Sequence, residues 1–466
     1  MTRLRVPAAV GLAVGLSVSL AAARGSRQAL DGIWLSDGYG YVAEIAGEDM
    51  RVFEVTPVSC LPAGQGTRQM SAGGAPVFLV SDLDRITLLP GASADEKQIH
   101  RPGAASNIVI RRVSQKPAAC MRPTPDTPES NFEVFWTTFN AHHAFLRERG
   151  ADWAATRAKY RPRVTPATTP DELFAMLSEM IEPLHDAHTS LRAPALNRTF
   201  RGRRPEATPV SQEDARQAFE IIQTKYLKDN LQAFCNTRVR YGRLNDTTGY
   251  LRILGFGGYV AGDDCGEGSR ELSRALDAVV ADARTLKTLV VDVRLNGGGA
   301  DPYGVMVASR LTDQKYVAFV KRARNDANDP TRFTAPQATW VVPAPGQRFT
   351  GQVIELISRN SVSAAETFSM ALMGRTPAVV RIGEPTQGVY SDVLLRRLPN
   401  GWRFGLPNEV FLTEGGRHFE VVGVAPDIAV PVFTREELKA GRDSALDKAL
   451  ELAARGARGS WRRSAH

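Results

Sequence analysis

Three kinds of residue in this chain could together attack a carbonyl group: a serine at a small-residue corner, a histidine to take its proton, and a glycine run that leaves main-chain N–H groups uncovered. The serine lies in Asn360-Ser361-Val362-Ser363-Ala364-Ala365-Glu366, between the β-branched run 353–357 and a segment in which Phe368, Ala371 and Leu372 fall at helical spacing. A serine at a strand-to-helix corner is open to a substrate, and the N–H groups of the first helical turn stand beside it. The same pattern also describes an ordinary Ser/Asn helix cap, so the corner alone assigns nothing. Asn296-Gly297-Gly298-Gly299 follows the buried-strand run 289–293; its bare N–H groups could face a carbonyl oxygen, and taken singly it reads as a turn. His188, placed at the end of a helix before a Thr-Ser loop, is the candidate base, because an imidazole can accept and return a proton near neutral pH. His185 and His418 remain alternatives on spacing alone. Glu420, expected at a strand end, could orient the base or its partners.

The elements that must position these residues alternate. After the strand pattern 249–254 come an amphipathic helix carrying Leu272, Ala275, Leu276, Val279 and Val280, and then the buried strand 289–293. Such βαβ alternation predicts a mainly parallel sheet flanked by helices. Beyond the serine corner the chain predicts a strand over 378–382, a hairpin turned at Pro399-Asn400-Gly401, and a helix opened by the capping box Thr434-Arg435-Glu436-Glu437. Upstream, residues 130–194 have helical period, with Phe132, Phe135, Trp136 and Phe139 on one face and a second helix opening at Thr169-Pro170-Asp171-Glu172. Residues 27–122 alternate over short apolar runs broken by Gly, Pro and Asp, which predicts a small antiparallel β-domain; the proline-rich stretch 123–129 is a linker. The core takes the remainder, 195–466.

Length and composition fit a globular protein of two to three domains: 466 residues, 43% hydrophobic and 23% charged. Arg3 and Arg5 precede an apolar run over 6–20 that ends in Ala21-Ala22-Ala23, the pattern of an export leader over residues 1–23, so a periplasmic or secreted location is expected. No second apolar stretch of about 20 residues follows, hence no stable membrane span is expected once the leader is cleaved. Cys60, Cys120, Cys235 and Cys265 are even in number, and the sequence-local pairing joins Cys60 to Cys120 and Cys235 to Cys265. There is no C-x-x-C, and neither a metal site nor a cofactor is expected. Removing Arg3 and Arg5 takes the net charge from +8 to +6, spread over scattered arginines. No basic stripe interleaved with aromatics is present, so nucleic acid is not expected as a partner.

Five blocks in order resemble those of the tail-specific, C-terminal-processing serine peptidases: Leu184-His185-Asp186-Ala187-His188-Thr189, Asp292-Val293-Arg294-Leu295-Asn296-Gly297-Gly298-Gly299, Ser361-Val362-Ser363-Ala364-Ala365-Glu366, Gly383-Glu384-Pro385-Thr386-Gln387-Gly388 and Gly423-Val424-Ala425-Pro426-Asp427-Ile428-Ala429-Val430. Trp136, Asp152-Trp153 and Tyr160-Arg161-Pro162 resemble the helical region that precedes the core in that family, whereas residues before Pro123 are not covered. The resemblance implies a crotonase-like (ClpP/crotonase-type) α/β spiral core and selects Ser363 over Ser361 by its register to Glu366. One branch of the family uses a lysine just after the G-x-x-T-x-G block; Val389 stands there and cannot take a proton. The tricorn-like branch uses a histidine and a glutamate, which match His188 and Glu420, with oxyanion donors matching Gly298, Gly297 and Ala364. The peptide-binding insert common in the lysine branch has no room between Leu191 and Thr247. The implied substrate is a polypeptide. A non-catalytic ligand- or peptide-binding protein on the same fold is the alternative, and an acyl-CoA enzyme of crotonase type fits poorly with an export leader.

Overall fold

A computed structural model describes residues 30–69, 74–205 and 210–456; the expected leader over 1–23 lies outside them. The chain divides into two compact units, one of residues up to Arg101 with Asn107–Thr124, the other of Pro102–Ser106 and everything from Pro125 onward.

In the first unit the expected antiparallel strands close on themselves. The strands β1 (Gly32–Ser36), β2 (Tyr41–Ala46), β3 (Asp49–Thr56), β4 (Ser59–Gln69), β5 (Val77–Val80), β6 (Asp84–Pro90), β7 (Glu96–His100) and β8 (Ile108–Val113) pair in order, and β1 pairs with β8 to seal an eight-stranded barrel. Closure removes the exposed edges that an open sheet of this size would carry. Trp34, Met50, Phe78 and Ile110 fill the interior. A disulfide joins Cys60 to Cys120. The other expected bridge is absent: Cys235 packs into the apolar core of the second unit and Cys265 opens a helix, and both keep their thiols. Closeness in sequence did not bring those two sulfurs together.

The second unit begins with three helices, α1 (Pro128–His142), α2 (Trp153–Tyr160) and α3 (Pro170–Ile181). Thr169 caps α3 in a reciprocal capping box with Glu172, and Pro170 takes the first turn, where no donor is lost. These helices belong to the same compact unit as the core, so no unit boundary falls at 194/195. One reason is that β9 (Ser190–Ala193), which leaves the helical segment, forms a sheet in the order β10 (Arg198–Arg201), β9, β20 (Arg403–Pro407), β19 (Val393–Arg397). A second sheet orders β16 (Gln337–Val341), β15 (Tyr316–Ala323) and β21 (Glu409–Leu412).

The central sheet has seven strands. Its order is β11 (Gln232–Phe234), β12 (Val239–Asn245), β13 (Thr248–Ile253), β14 (Thr288–Asp292), β17 (Gln352–Ile357), β18 (Val380–Gly383) and β22 (Ile428–Ala429). The first three are antiparallel and the last five parallel, in agreement with the alternation read from sequence. Side chains alternate between two cores. Leu289, Val291 and Val353 pack with α5 (Cys265–Ala283), α6 (Asp301–Ser309) and α7 (Ala364–Ala371), while Val290, Ile354, Leu356 and Ile382 face α9 (Ser444–Gly456), which follows the short α8 (Arg435–Lys439). Burying each such aliphatic side chain is worth roughly 1.5–3 kcal/mol. The functional consequence lies in the loops: β14, β17 and β18 are adjacent and parallel, so the segments 293–299, 358–363 and 384–389 all leave from their carboxyl ends, where open α/β sheets place ligands.

Candidate active site

Ser363 stands between β17 and α7 with φ +59° and ψ −121°, a conformation that a side chain rarely adopts. Two bonds hold it there: its N–H donates to the Val389 carbonyl (3.1 Å) and to Glu366 Oε2 (3.2 Å). Glu366 is fully buried and accepts as well from the Gly388 N–H (2.6 Å) and the Val389 N–H (2.9 Å). Burial pushes its carboxyl up to about 7 against the pull of these donors and of Thr386. The glutamate that serves as a register mark in the sequence is therefore the strap that fixes the serine corner to the 388–389 segment. Ser361 turns away, donating its hydroxyl to the Val293 carbonyl (2.8 Å).

The glycine loop closes against this corner. A Cβ on Gly298, whose φ is +88°, would lie 2.8 Å from Ser363 Cβ and 2.9 Å from the Val362 carbonyl oxygen, so only glycine fits. The loop starts from a buried anchor in which Arg294 is clamped by Asp292 (2.6 Å) and Asp443 (2.8 Å). Of the expected oxyanion donors, Ala364 makes no main-chain N–H bond among the described residues. The Gly298 N–H donates to Asn296 Oδ1 (2.9 Å), and the Gly297 N–H makes a long contact to the Leu254 carbonyl (3.4 Å). The Asn296 side chain thus competes for the donor that the sequence singled out.

His188 does not end a helix. Helix α3 stops at Ile181, a 3-10 turn follows, His185 takes φ +49°, and His188 lies in the loop that enters β9. Asp186 Oδ1 accepts the His188 N–H (2.8 Å) and shapes this loop. Burial lowers the imidazole pKa, opposed by the charges of Asp186 and Asp392 and by the Ser391 main-chain acceptor, with Arg149 adding to the lowering. At neutral pH the ring is neutral, the form a base needs. Its Nδ1 is buried and has no hydrogen-bond partner among the described residues. The rivals sit elsewhere: His185 is exposed, and His418 packs near the Phe145 ring.

Glu420 is in a turn rather than at a strand end, beside Val421 at φ +72°. That turn is pinned by the Val421 N–H on the Gly388 carbonyl (2.8 Å), and a Cβ on Gly388 would strike Val421 at 2.6 Å. The Glu420 carboxylate accepts from the Tyr390 N–H (2.9 Å) and from Arg149 (2.8 Å), which also reaches Asp186 (2.9 Å) and the carbonyls of Leu184 and His185. Burial, with Asp186 adding to it, raises the Glu420 pKa; Arg149 and the Tyr390 N–H oppose the rise. Glu420 thus meets the His188 loop through Arg149 and Asp186, not through the imidazole. Among the described residues no hydrogen bond joins the side chains of Ser363, His188 and Glu420 to one another.

What brings the three together is one short stretch of chain. Val389 holds Ser363 through its carbonyl, Tyr390 holds Glu420 through its N–H, and the Ser391 main chain faces the His188 ring. Neighbouring α-carbons are about 3.8 Å apart, so these contacts fall within two peptide units. Val389 is buried, with its main chain bonded to Ser363 and Glu366; a lysine there would stand at the serine, and a valine leaves the proton to another group.

Residues 247–430 match the model of peptidase family S41, and residues 124–182 match the tricorn protease C1 domain. The first span holds Ser363, the glycine loop and Glu420, while His188 falls between the two. No curated protein matches the sequence. Among solved structures, a candidate peptidase from Parabacteroides merdae is 27% identical, with 71% of this chain and 97% of that one covered at a TM-score of 0.59. Mature CPAF complexed with lactacystin shares the fold at 13% identity, 70% and 98% coverage and a TM-score of 0.53. No helix among the described residues is long and apolar enough to cross a membrane. Residues 247–430 thus form a peptidase family S41 segment, and the protein is a serine-type peptidase.

Proposed function

We propose that the protein is an exported peptidase of the tail-specific, C-terminal-processing type, working through an acyl-enzyme on a crotonase-like spiral core. His188 takes the proton of Ser363 Oγ as that oxygen bonds to the peptide carbonyl carbon. The oxyanion is met by the Ala364 N–H and by the glycine loop, where Gly298 becomes available once the Asn296 bond is given up. His188 then returns the proton to the leaving amine, the C–N bond breaks, and water repeats the sequence on the ester to release the acid. Glu420, through Arg149 and Asp186, holds the loop that carries His188. The observation that carries this reading is the convergence of contacts to Ser363, Glu420 and His188 on three consecutive residues, Val389, Tyr390 and Ser391. The Cys60–Cys120 disulfide supports an oxidising location, periplasmic or secreted.

Casein digestion and labelling by a fluorophosphonate test the assignment. Wild type should cleave and be labelled; Ser363→Ala should lose labelling and lose cleavage by about 10⁴-fold or more, as when a triad member is removed. Full cleavage by the alanine variant would remove Ser363 from the mechanism. A wild type that binds peptide but neither cleaves nor labels would favour the non-catalytic alternative.

A further inference from the structure

Strand β19 starts at Val393, immediately after the residues that hold Ser363, Glu420 and His188, and it is the edge of its sheet. Its only strand partner among the described residues is β20. The hairpin fixes which groups face outward. The Leu398 N–H bonds to the Trp402 carbonyl (2.8 Å), and with Leu398 opposite Trp402 the bonded pairs proceed in steps of two, to Arg396 with Phe404 and Leu394 with Leu406. The main-chain groups of Val393 and Leu395 therefore point away from β20. Pro407, opposite Val393, agrees with this register, because it has no N–H to give and its carbonyl accepts from Ala144 on the far side. Arg396 Nη1 covers the Leu395 carbonyl (3.0 Å), which leaves the N–H groups of Val393 and Leu395 without a partner among the described residues.

The side chains make this edge unusual. Val393 is 38% exposed and Leu395 63%, whereas Leu394 and Arg396 are buried. Natural edge strands are commonly blunted by charge or proline. Strand β10, the opposite edge of the same sheet, follows that practice with Arg198 and Arg201 exposed. An apolar edge with unused donors, continuous with the site, has the makings of a template for another extended chain.

We propose that β19 is the docking strand for polypeptide substrate. An extended segment adds to it as a further strand, bonded to the N–H groups of Val393 and Leu395, with apolar side chains at alternate positions lying over those two residues. The proposal rests on the peptidase reading for the identity of its occupant and extends it: the substrate is an unfolded or terminal segment, and a folded chain with no free strand is refused.

The test separates the two readings by measuring binding without catalysis. A fluorescein-labelled octapeptide of alternating leucine and serine is titrated onto Ser363→Ala and onto Ser363→Ala with Leu395→Pro; proline removes only an outward N–H and leaves the β19–β20 bonds in place. Loss of one such bond should weaken binding by about tenfold, the equivalent of 1.4 kcal/mol. In the otherwise wild-type protein, Leu395→Pro should lower casein cleavage while fluorophosphonate labelling of Ser363 is kept, since the small probe does not use the edge. Should the proline variant fail to fold, octapeptides N-methylated at single positions are titrated onto Ser363→Ala itself; affinity should fall at every second position. Equal binding by both variants, or N-methyl effects without the two-residue period, would overturn the docking strand. Period-two binding with no wild-type cleavage would keep the strand and overturn the peptidase reading.

Discussion

Arg294 and Arg149 are both buried, and each lies between two carboxylates, yet their surroundings differ. Arg294 is forked on both sides, with Nε and Nη2 on the Asp292 oxygens and Nη1 and Nη2 on those of Asp443, and the Phe433 ring lies against the guanidinium. Burial alone would raise the Asp292 carboxyl, but the Arg294 charge and hydrogen bonds outweigh it and hold it below the usual carboxylate range. At Arg149 the geometry is one-sided: Nη2 serves both Asp186 and Glu420, Nη1 goes to two carbonyls, and Nε is buried without a partner among the described residues. There the balance goes the other way and Glu420 is raised. The first cluster favours its charges and fastens the glycine loop to the fold. The second tolerates its charge poorly, as groups at functional sites commonly do.

Removing the guanidinium of the first cluster should give the largest loss of stability. Arg294→Met leaves Asp292 and Asp443 facing each other in the core, and breaking a buried pair in this way costs about 3–5 kcal/mol. Thermal unfolding of the second unit should move down accordingly, with casein cleavage falling as the loop 297–299 loosens. An unchanged midpoint would mean that the loop is held without this cluster.

Neutral isosteres sharpen the contrast. The folded protein prefers Asp292 charged, so Asp292→Asn should destabilise by about 1–3 kcal/mol, the usual cost of spoiling a buried hydrogen-bonded group. It prefers Glu420 neutral relative to an unfolded glutamate. For such a raised group the stabilising contribution is present below the unfolded pKa and is lost as pH rises through the folded value, so at pH 8 Glu420→Gln should leave the unfolding midpoint unchanged or higher while it slows cleavage. Equal destabilisation by the two substitutions would erase the distinction.

The sequence carried one cluster more openly than the other. Asp292, Arg294 and the glycines are consecutive and follow a strand pattern, and Ser363 has Glu366 one helical turn away; local spacing suffices for both. Arg149 has no such mark. Its role depends on Asp186 and Glu420 arriving from distant parts of the chain, and no periodicity records that meeting. Asp186 stood in the His188 motif but reads there only as a neighbour, because a carboxylate's partner is set by the tertiary fold. Strand patterns likewise gave the antiparallel pieces of the first unit but not the β1–β8 pairing that closes the barrel. The Asn296 contact to Gly298 is local, two residues apart, and the Asn-x-Gly order could have raised it as a competitor for the expected oxyanion donor.

The smallest expected effect bears on how the second cluster reaches the chemistry. Arg149 and burial lower the His188 pKa, and Asp186, Asp392 and the Ser391 carbonyl raise it, with burial the largest influence. The acid limb of kcat/KM for casein should therefore lie below the ordinary histidine value of about 6.5. Asp186→Asn removes one raising charge and should move that limb further down, by less than the full effect of a charge because Arg149 shares its field. A substitution that only loosened the loop would lower kcat/KM at every pH and leave the limb in place. A limb that rises in Asp186→Asn, or lies above 6.5 in the wild type, would show that the titrating base is not His188 in this setting.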